Sequence, residues 1–255
     1  MKTKNTRLSA LLALAATCLV MACDGPETGE PGSPGAGPCG GMRVDADQVI
    51  LIGDSYPAAG AALGGIGGIQ RQIEARAAAA GAIDPGSHYR AYYVGGTRFL
   101  NNSIQNQYTK AKSQNPDISV VIMTGGGNDV LQFVEGCNPF MDPNGAACRD
   151  VVRRSTAASK ALLQQMERDG VEDVVFYFYP EVPFAPGHSA ASEPAARATC
   201  DSFRGPLTCH FVSLLAPFQG HADYIGPDGI HPTAKGQQVI GDLVWKTMVD
   251  NCIAQ

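Results

Sequence analysis

The stretch "VILIGDSYPA", residues 49–58, indicates the class of fold and raises the main functional question. Its apolar run over 49–52 is unbroken, which is typical of a strand buried on both faces of a parallel sheet. Gly53, Asp54 and Ser55 follow, and small polar residues here indicate that the chain leaves the sheet. A serine in such a place is usually a turn or helix-cap residue, so its role depends on the rest of the chain.

Strand-like and helix-like stretches alternate along the chain. Beyond the first strand, predicted over 48–53, the apolar runs predict strands over 88–96, 118–127, 171–180 and 210–218, the last of which could instead be a helical turn. Helices are predicted over 63–82, 102–113 and 149–169, and after a capping residue, Thr233. This alternation predicts an α/β fold, a three-layer α/β/α sandwich with a mostly parallel sheet of about five strands. In such sheets ligands bind at the carboxyl ends of the strands.

Composition and charge exclude several classes of protein. The chain has 255 residues and 44% hydrophobic content, enough for one sizeable domain. With a formal net charge of −5, we expect no basic footprint for nucleic acid. Near the N-terminus Lys2, Lys4 and Arg7 precede an apolar run over 11–22 that is too short to span a bilayer. We therefore interpret residues 1–22 as a signal peptide and expect an exported protein of the cell envelope.

The sequence "VMAC" at 20–23 resembles a bacterial lipoprotein cleavage site, in which the cysteine becomes the lipidated N-terminus. We expect a lipid anchor at Cys23; ordinary secretory cleavage, with this cysteine removed or free, is the alternative. Residues 23–42 are rich in glycine and proline and predict a flexible tether. The folded domain is then expected over 43–255.

Six cysteines follow Cys23, and an even number in an exported protein indicates disulfides. Six cysteines allow 15 pairings. Proximity in sequence favours Cys137–Cys148 and Cys200–Cys209, which leaves Cys39–Cys252 to join the start of the domain to its end. No C-x-x-C pair and no calcium-loop spacing is present, so the sequence predicts no metal and no cofactor.

Three segments carry residues suited to acyl transfer: "GDSY" at 53–56, "GGGND" at 125–129 and "DGIHP" at 228–232. Acyl transfer needs a nucleophile, a base, a group that orients the base, and donors for an oxyanion. Ser55 supplies a hydroxyl, His231 an imidazole, and Asp228 a carboxylate three residues before it. Asn128 offers a side-chain amide.

These blocks, with a glycine after the second strand, resemble those of the SGNH (GDSL-type) hydrolases over roughly residues 47–250. The resemblance implies a flavodoxin-like fold and a Ser55–His231–Asp228 triad. It also implies an oxyanion hole formed by the backbone of Ser55, the backbone of Gly96 and the side chain of Asn128. Gly95 could take the place given to Gly96. The family includes esterases, lipases, thioesterases and carbohydrate deacetylases.

Other polar residues near these blocks have simpler interpretations. Asp54 is expected to accept hydrogen bonds from loop N–H groups, and Asp129 to cap a helix or anchor a loop. His221 is a weaker competing base. The long, proline-containing segment 182–208 is expected to be a connection that either flanks an acyl pocket or lies in solvent.

The sequence therefore predicts a lipid-anchored serine hydrolase of carboxylic esters. Its partners would be a small-molecule, lipid or carbohydrate ester and, through Cys23, a membrane. Two alternatives remain open: an O-acyltransferase acting on envelope sugars or lipids with the same triad, and a non-catalytic glycan-binding lipoprotein on the same fold.

Overall fold

A computed structural model of the protein describes residues 39, 44–62 and 68–254. The predictions for the signal peptide, for Cys23 and for nearly all of the tether lie outside the described residues. No helix in the described part of the chain is long and apolar enough to cross a membrane.

Five parallel strands form one sheet in the order β2-β1-β3-β4-β5. They are β1 (Val49–Ile52), β2 (Arg90–Ala91), β3 (Val120–Met123), β4 (Asp173–Tyr177) and β5 (Thr208–Val212). Every residue of β1 and β3 is buried, because helices cover both faces of the sheet. The predicted α/β fold is confirmed.

Eight α-helices connect and cover these strands within the described residues. They are α1 (Ser55–Ala62), α2 (Ile69–Ala79), α3 (Ser103–Gln114), α4 (Gly127–Leu131), α5 (Ala146–Arg168), α6 (His188–Asp201), α7 (Leu215–Phe218) and α8 (Ala234–Asp250). Short 3₁₀ turns lie at Ala46–Gln48 and Ala222–Tyr224. As predicted, Thr233 caps α8: its hydroxyl accepts a hydrogen bond from the N–H of Gly236.

The strand order reverses at β1, which places the connecting helices on opposite faces of the sheet. Right-handed crossovers put α2 on one face, where it packs against α8, and α5 and α6 together on the other face. The carboxyl ends of β1 and β3, which diverge at this reversal, leave a crevice where ligands bind in sheets of this type. The chain that leaves these two strand ends carries Ser55 and Asn128.

Three sequence predictions need correction. The second strand, predicted over 88–96, has only two residues, Arg90–Ala91. The fifth strand ends at Val212, and the rest of the predicted span turns into α7 after Leu214. The segment 182–208 is not one long connection, because it contains α6. That helix was missed because Pro194 lies inside it and because its buried residues are mostly small or polar, which removes the apolar periodicity.

The structure forms all three disulfides that the sequence favoured: Cys39–Cys252, Cys137–Cys148 and Cys200–Cys209. The second joins the loop after α4 to α5, and the third joins α6 to β5. The second therefore holds elements at the carboxyl edge of the sheet, whereas the third lies near the start of β5, at the opposite edge.

Candidate active site

The loop before α8 holds Asp228 and His231 as a preformed pair. His231 Nδ1 lies 2.6 Å from Asp228 Oδ2. The other carboxylate oxygen accepts hydrogen bonds from the backbone N–H groups of Ile230 and His231, each at 3.0 Å. Both carboxylate oxygens are thus engaged by the residues they orient, so the imidazole has one fixed direction.

The carboxyl group of Asp228 is held in its charged form. Partial desolvation disfavours the charge, but the hydrogen bonds from the N–H of Ile230 and from His231 outweigh it, so the pKa of Asp228 is lowered from its usual value. A carboxylate that stays ionised can stabilise the imidazolium that forms when His231 takes a proton.

Tyr56 connects this loop to the candidate nucleophile. Its hydroxyl donates a hydrogen bond to the carbonyl oxygen of Ile230 at 2.9 Å, and its ring centroid lies 6.3 Å from that of His231. Tyr56 is buried and directly follows Ser55 at the start of α1. The contact therefore brings residues 174 positions apart to one rim of the sheet.

The side chains of Ser55 and His231 form no hydrogen bond with each other in the described part of the chain. Hydrogen bonds of this kind are often long or poorly aligned without substrate and tighten when the substrate binds. Ser55 is the first residue of α1, so its backbone N–H is one of the helix N-terminal donors that have no intrahelical partner.

The loop after β2 and the helix α4 lie beside Ser55. The side-chain amide of Asn128 donates a hydrogen bond to the carbonyl of Thr97 at 3.2 Å, which leaves its second N–H for a ligand. A Cβ atom on Gly95 would lie 3.9 Å from the Cβ of Ser55, whereas the carbonyl of Gly96 accepts a hydrogen bond from Gln132. Both glycines belong to the same turn, so the choice between their N–H groups stays open.

Asp54 is a buried structural acid. It accepts hydrogen bonds from the N–H of Tyr56 at 3.1 Å and from the hydroxyl of Tyr179. Desolvation raises its pKa above the usual value, although these hydrogen bonds and the nearby His231 oppose the shift. The sequence predicts a hydrogen bond from a loop N–H; the donor is instead the N–H of Tyr56 in the first turn of α1, so this carboxylate caps the helix.

Asp129 anchors a loop. Its two carboxylate oxygens accept hydrogen bonds from the N–H groups of Phe99 and Leu100, each at 3.0 Å, and from the hydroxyl of Ser155 at 3.1 Å. Desolvation raises its pKa, and these hydrogen bonds oppose the rise. The contacts fix the segment before α3 against α4 and so position Asn128, its neighbour in sequence.

Two glycines before Asn128 are required by close approach and by backbone conformation. A Cβ on Gly127 would lie 2.9 Å from the ring of Tyr179, closer than side-chain contacts allow. Gly126 has a φ of +103°, a conformation that favours glycine. Together they let α4 begin directly beside the candidate nucleophile.

A cleft opens at this rim, with about 510 Å³ of space when the part open to solvent is counted. Its wall combines residues from α1, α4, the end of β4, the start of α6 and the histidine loop. They include Ser55, Asn128, Leu131, Tyr179, Val182, Ala185, Ser189 and Ile230. The segment 182–208 therefore flanks the cleft, as one of its two interpretations predicted.

Two other histidines have structural partners. His221 stacks on Tyr224, with ring centroids 4.4 Å apart. His188 is buried, with Nε2 3.1 Å from the carbonyl oxygen of Asn138. His188 also lies close to Cys137 and Cys148, but their sulfurs are joined in a disulfide and supply no thiolate for a metal.

The sequence interpretation gave no role to Tyr56 or Tyr179. The structure uses the first hydroxyl to hold the histidine loop and the second to hold Asp54. The only signal in the sequence was Tyr56 in the first block, where leucine is common in the family that the sequence resembles.

Comparison with known proteins is consistent with this arrangement. Residues 51–239 match the family model described as GDSL-like Lipase/Acylhydrolase. No curated protein matches the chain.

Several solved structures share the fold at low sequence identity. A carbohydrate esterase of family 3 from Talaromyces cellulolyticus has 16% identity and a TM-score of 0.57, covering 80% of this chain and 96% of its own. The psychrotrophic esterase EstA from Pseudoalteromonas sp. has 15% identity and a TM-score of 0.59, covering 81% and 99%. A family 3 carbohydrate esterase from Clostridium thermocellum has 16% identity and a TM-score of 0.56, covering 81% and 98%.

Proposed function

The chain belongs to the GDSL-like lipase/acylhydrolase family and is an ester hydrolase, and from that premise we propose that Ser55, His231 and Asp228 form its catalytic triad. The observation that carries this assignment is the hydrogen bond from Tyr56 to the carbonyl of Ile230. It ties the loop of the Asp228–His231 pair to the residue that follows Ser55.

The reaction begins when the hydroxyl oxygen of Ser55 attacks the ester carbonyl carbon and its proton passes to Nε2 of His231. The charged carboxylate of Asp228 holds the imidazole through Nδ1 and stabilises the imidazolium. The bond from the carbonyl carbon to the alcohol oxygen then breaks, and His231 gives its proton to the leaving alcohol.

Hydrolysis of the acyl-enzyme repeats these steps with water. His231 takes a proton from the water as its oxygen attacks the acyl carbon, and the bond to Ser55 breaks when the serine oxygen regains a proton. The products are a carboxylic acid and an alcohol, and no cofactor is needed for this balance.

The oxyanion of each tetrahedral intermediate would be held by three donors: the N–H of Ser55, the N–H of Gly96 or of its neighbour Gly95, and the side-chain amide of Asn128. The first is a free helix N-terminal donor, and the amide has one hydrogen left after its bond to Thr97. Preorganised donors of this kind act at full strength because they do not reorient during the reaction.

The experiment that tests the triad is hydrolysis of p-nitrophenyl acetate by the wild type, by Ser55→Ala and by Ser113→Ala. Ser113 is exposed on α3 and serves as the matched control. We expect kcat to fall by at least about 10³-fold in Ser55→Ala and to be retained in Ser113→Ala. Equal rates for the wild type and Ser55→Ala would refute the proposal and favour a binding protein.

A second experiment tests the oxyanion donor. Asn128→Ala should lower kcat by about 10²–10³, equivalent to about 3–4 kcal/mol. Asn106→Ala, an exposed position on α3, is the control, and thermal unfolding checks that both variants fold. A fall of less than about threefold would show that this amide does not hold the oxyanion.

We also propose that the protein is exported and anchored to a membrane through lipid on Cys23. The support is sequence alone: a basic start, an apolar run over 11–22 and the sequence "VMAC". Cys23→Ser should move the protein from the membrane fraction to the soluble fraction, whereas Cys18→Ser, within the apolar run, should not. Membrane retention of Cys23→Ser would contradict the anchor.

A further inference from the structure

A second cavity lies behind the candidate active-site cleft, between helices α5 and α6 and the sheet. It has about 320 Å³ of space when the part open to solvent is counted. Three buried aromatic rings line it: Phe99, Phe176 and Phe178. Nothing in the triad chemistry uses this space.

The cavity exists because the facing surfaces of two helices carry small side chains. On α5 these are Ser155 and Ser159, four residues apart; on α6 they are Ser192 and Ala196, also four residues apart. Residues at this spacing lie on one face of a helix. Small residues on both faces leave a groove where larger ones would have filled the interface.

The polar groups of α5 do not make this groove hydrophilic. The hydroxyl of Ser155 donates to Asp129, and that of Ser159 donates to the carbonyl of Thr156. These two donors are already paired within the protein. The hydroxyls of Thr156 and Ser192 also line the groove, but most of its lining is carbon surface. A pocket of this kind suits an apolar chain better than a sugar, which needs free hydrogen-bond partners.

The two cavities adjoin each other along a shared wall, that is, a set of residues that line both. Four residues line both of them: Gly126, Val130, Phe178 and Ser192. Two of these have little or no side chain, and the other two are apolar. The shared wall begins next to Asn128, within the same cleft as Ser55.

We propose that the second cavity is the distal part of an acyl channel, so that the substrates of this hydrolase are esters of carboxylic acids with about eight or more carbons. This inference rests on the proposed function, because it takes the acyl carbon to lie at Ser55. The first carbons of the chain occupy the cleft, and the remaining carbons extend along the four residues that line both cavities into the groove between α5 and α6.

The proposal predicts how rate depends on chain length. Burial of one CH₂ group contributes about 0.8 kcal/mol, which corresponds to about a fourfold increase in kcat/KM. The wild type should therefore hydrolyse p-nitrophenyl octanoate with at least about tenfold higher kcat/KM than the acetate ester. If the acyl pocket were short, the acetate ester would instead have the higher kcat/KM.

Filling the groove should remove this preference. Ala196 is buried and lines only the second cavity, so Ala196→Leu should lower the octanoate-to-acetate ratio of kcat/KM by at least about tenfold. Ala198→Leu places the same side chain at an exposed position of the same helix and should keep the wild-type ratio. Thr156→Trp, at a partly exposed site of the groove, serves as a second filling variant if Ala196→Leu does not fold.

Failure of the channel is distinguishable from failure of the hydrolase assignment. If acetate is hydrolysed with dependence on Ser55 but the wild type prefers acetate, or if Ala196→Leu and Ala198→Leu give the same ratio, the channel is refuted and the hydrolase stands. Calorimetric titration with octanoate and acetate supplies a readout independent of turnover. Octanoate should bind the wild type and Ala198→Leu more tightly than acetate does, and Ala196→Leu should lose this difference; no difference in the wild type would overturn the proposal.

Discussion

The acids at the candidate site fall into two groups that the protein treats in opposite ways. Asp54 and Asp129, here called the strand-end acids, follow β1 and β3 and are almost fully buried. Asp228 lies in the loop before α8, and about half of its side chain is exposed. Burial raises the pKa of both strand-end acids, whereas hydrogen bonds outweigh partial desolvation and lower the pKa of Asp228.

This difference in pKa matches a difference in role between the strand-end acids and Asp228. The strand-end acids receive hydrogen bonds from backbone N–H groups and hydroxyls, so they hold loops in place. Asp228 receives hydrogen bonds from its own loop and from the imidazole that it orients. In this protein the carboxylate that pairs with His231 is half exposed, and the two that hold backbone N–H groups are buried.

The largest predicted effect is a loss of kcat when the exposed acid, Asp228, is replaced. Asp228→Asn keeps the shape but removes the charge, so the imidazolium loses its stabilising partner, and kcat should fall by about 10³–10⁴. The free energy of unfolding should change by less than about 1 kcal/mol, since the side chain is exposed and its pair is worth little to stability. Ester hydrolysis and urea unfolding measure the two effects, and a large loss of stability with little loss of kcat would break the comparison.

The second effect is on stability at a buried acid. Asp129→Ala leaves the N–H groups of Phe99 and Leu100 and the hydroxyl of Ser155 without their acceptor, and the free energy of unfolding should fall by about 2–4 kcal/mol. Asp150→Ala is the matched control on the surface of α5 and should cost less than about 1 kcal/mol. If both variants unfold at the same urea concentration, burial does not distinguish these acids.

A smaller effect concerns the dependence of stability on pH. The pKa of Asp54 is raised in the folded protein, so between its unfolded and folded values the native state binds the proton more tightly. The wild type therefore loses stability through this group as the pH rises above about 4, whereas Asp54→Asn carries no charge to desolvate. The free energy of unfolding of Asp54→Asn minus that of the wild type should increase as the pH rises from about 4 and level off above the folded pKa of Asp54, as measured by urea titrations. A difference that stays constant or falls from about pH 4 upward would contradict the assigned direction.

The smallest effect is expected at the competing histidine. His221 stacks on Tyr224 and, unlike His231, forms no hydrogen bond with a carboxylate in the described part of the chain, so His221→Ala should change kcat/KM by less than about twofold. His231→Ala, by contrast, should remove the base and lower kcat to a degree similar to Ser55→Ala. If both histidine variants lost the same activity, the assignment of His231 as the base would be wrong.

Much of the fold and several features of the site follow from local patterns in the sequence. The apolar runs that became β1 and β3 predict buried parallel strands, and the capping hydroxyl of Thr233 predicts the start of α8. Asp228 and His231 are three residues apart, so a tight turn alone brings them together. These features depend on short-range hydrogen bonds and on the alternation of apolar stretches, and both can be recognised from the sequence alone.

Other features depend on contacts that no local pattern encodes. The sequence predicts a connection where α6 forms, because the buried face of this helix is small and polar around an internal proline. Packing against α5 and β5 overrides that signal. The groove between α5 and α6 forms because both helices carry small side chains on the faces that meet. Neither helix shows this in its own sequence, since the cavity exists only when the two faces lie against each other.

The sequence by itself determined the parallel α/β class, the identity of the candidate triad residues and the pairing of Asp228 with His231. Only the tertiary structure decided that the hydroxyl of Tyr56 holds the histidine loop and that the cleft adjoins a second cavity. The physical reason is distance along the chain: a bond between residues 174 positions apart forms only after the crossovers have placed both segments at one edge of the sheet.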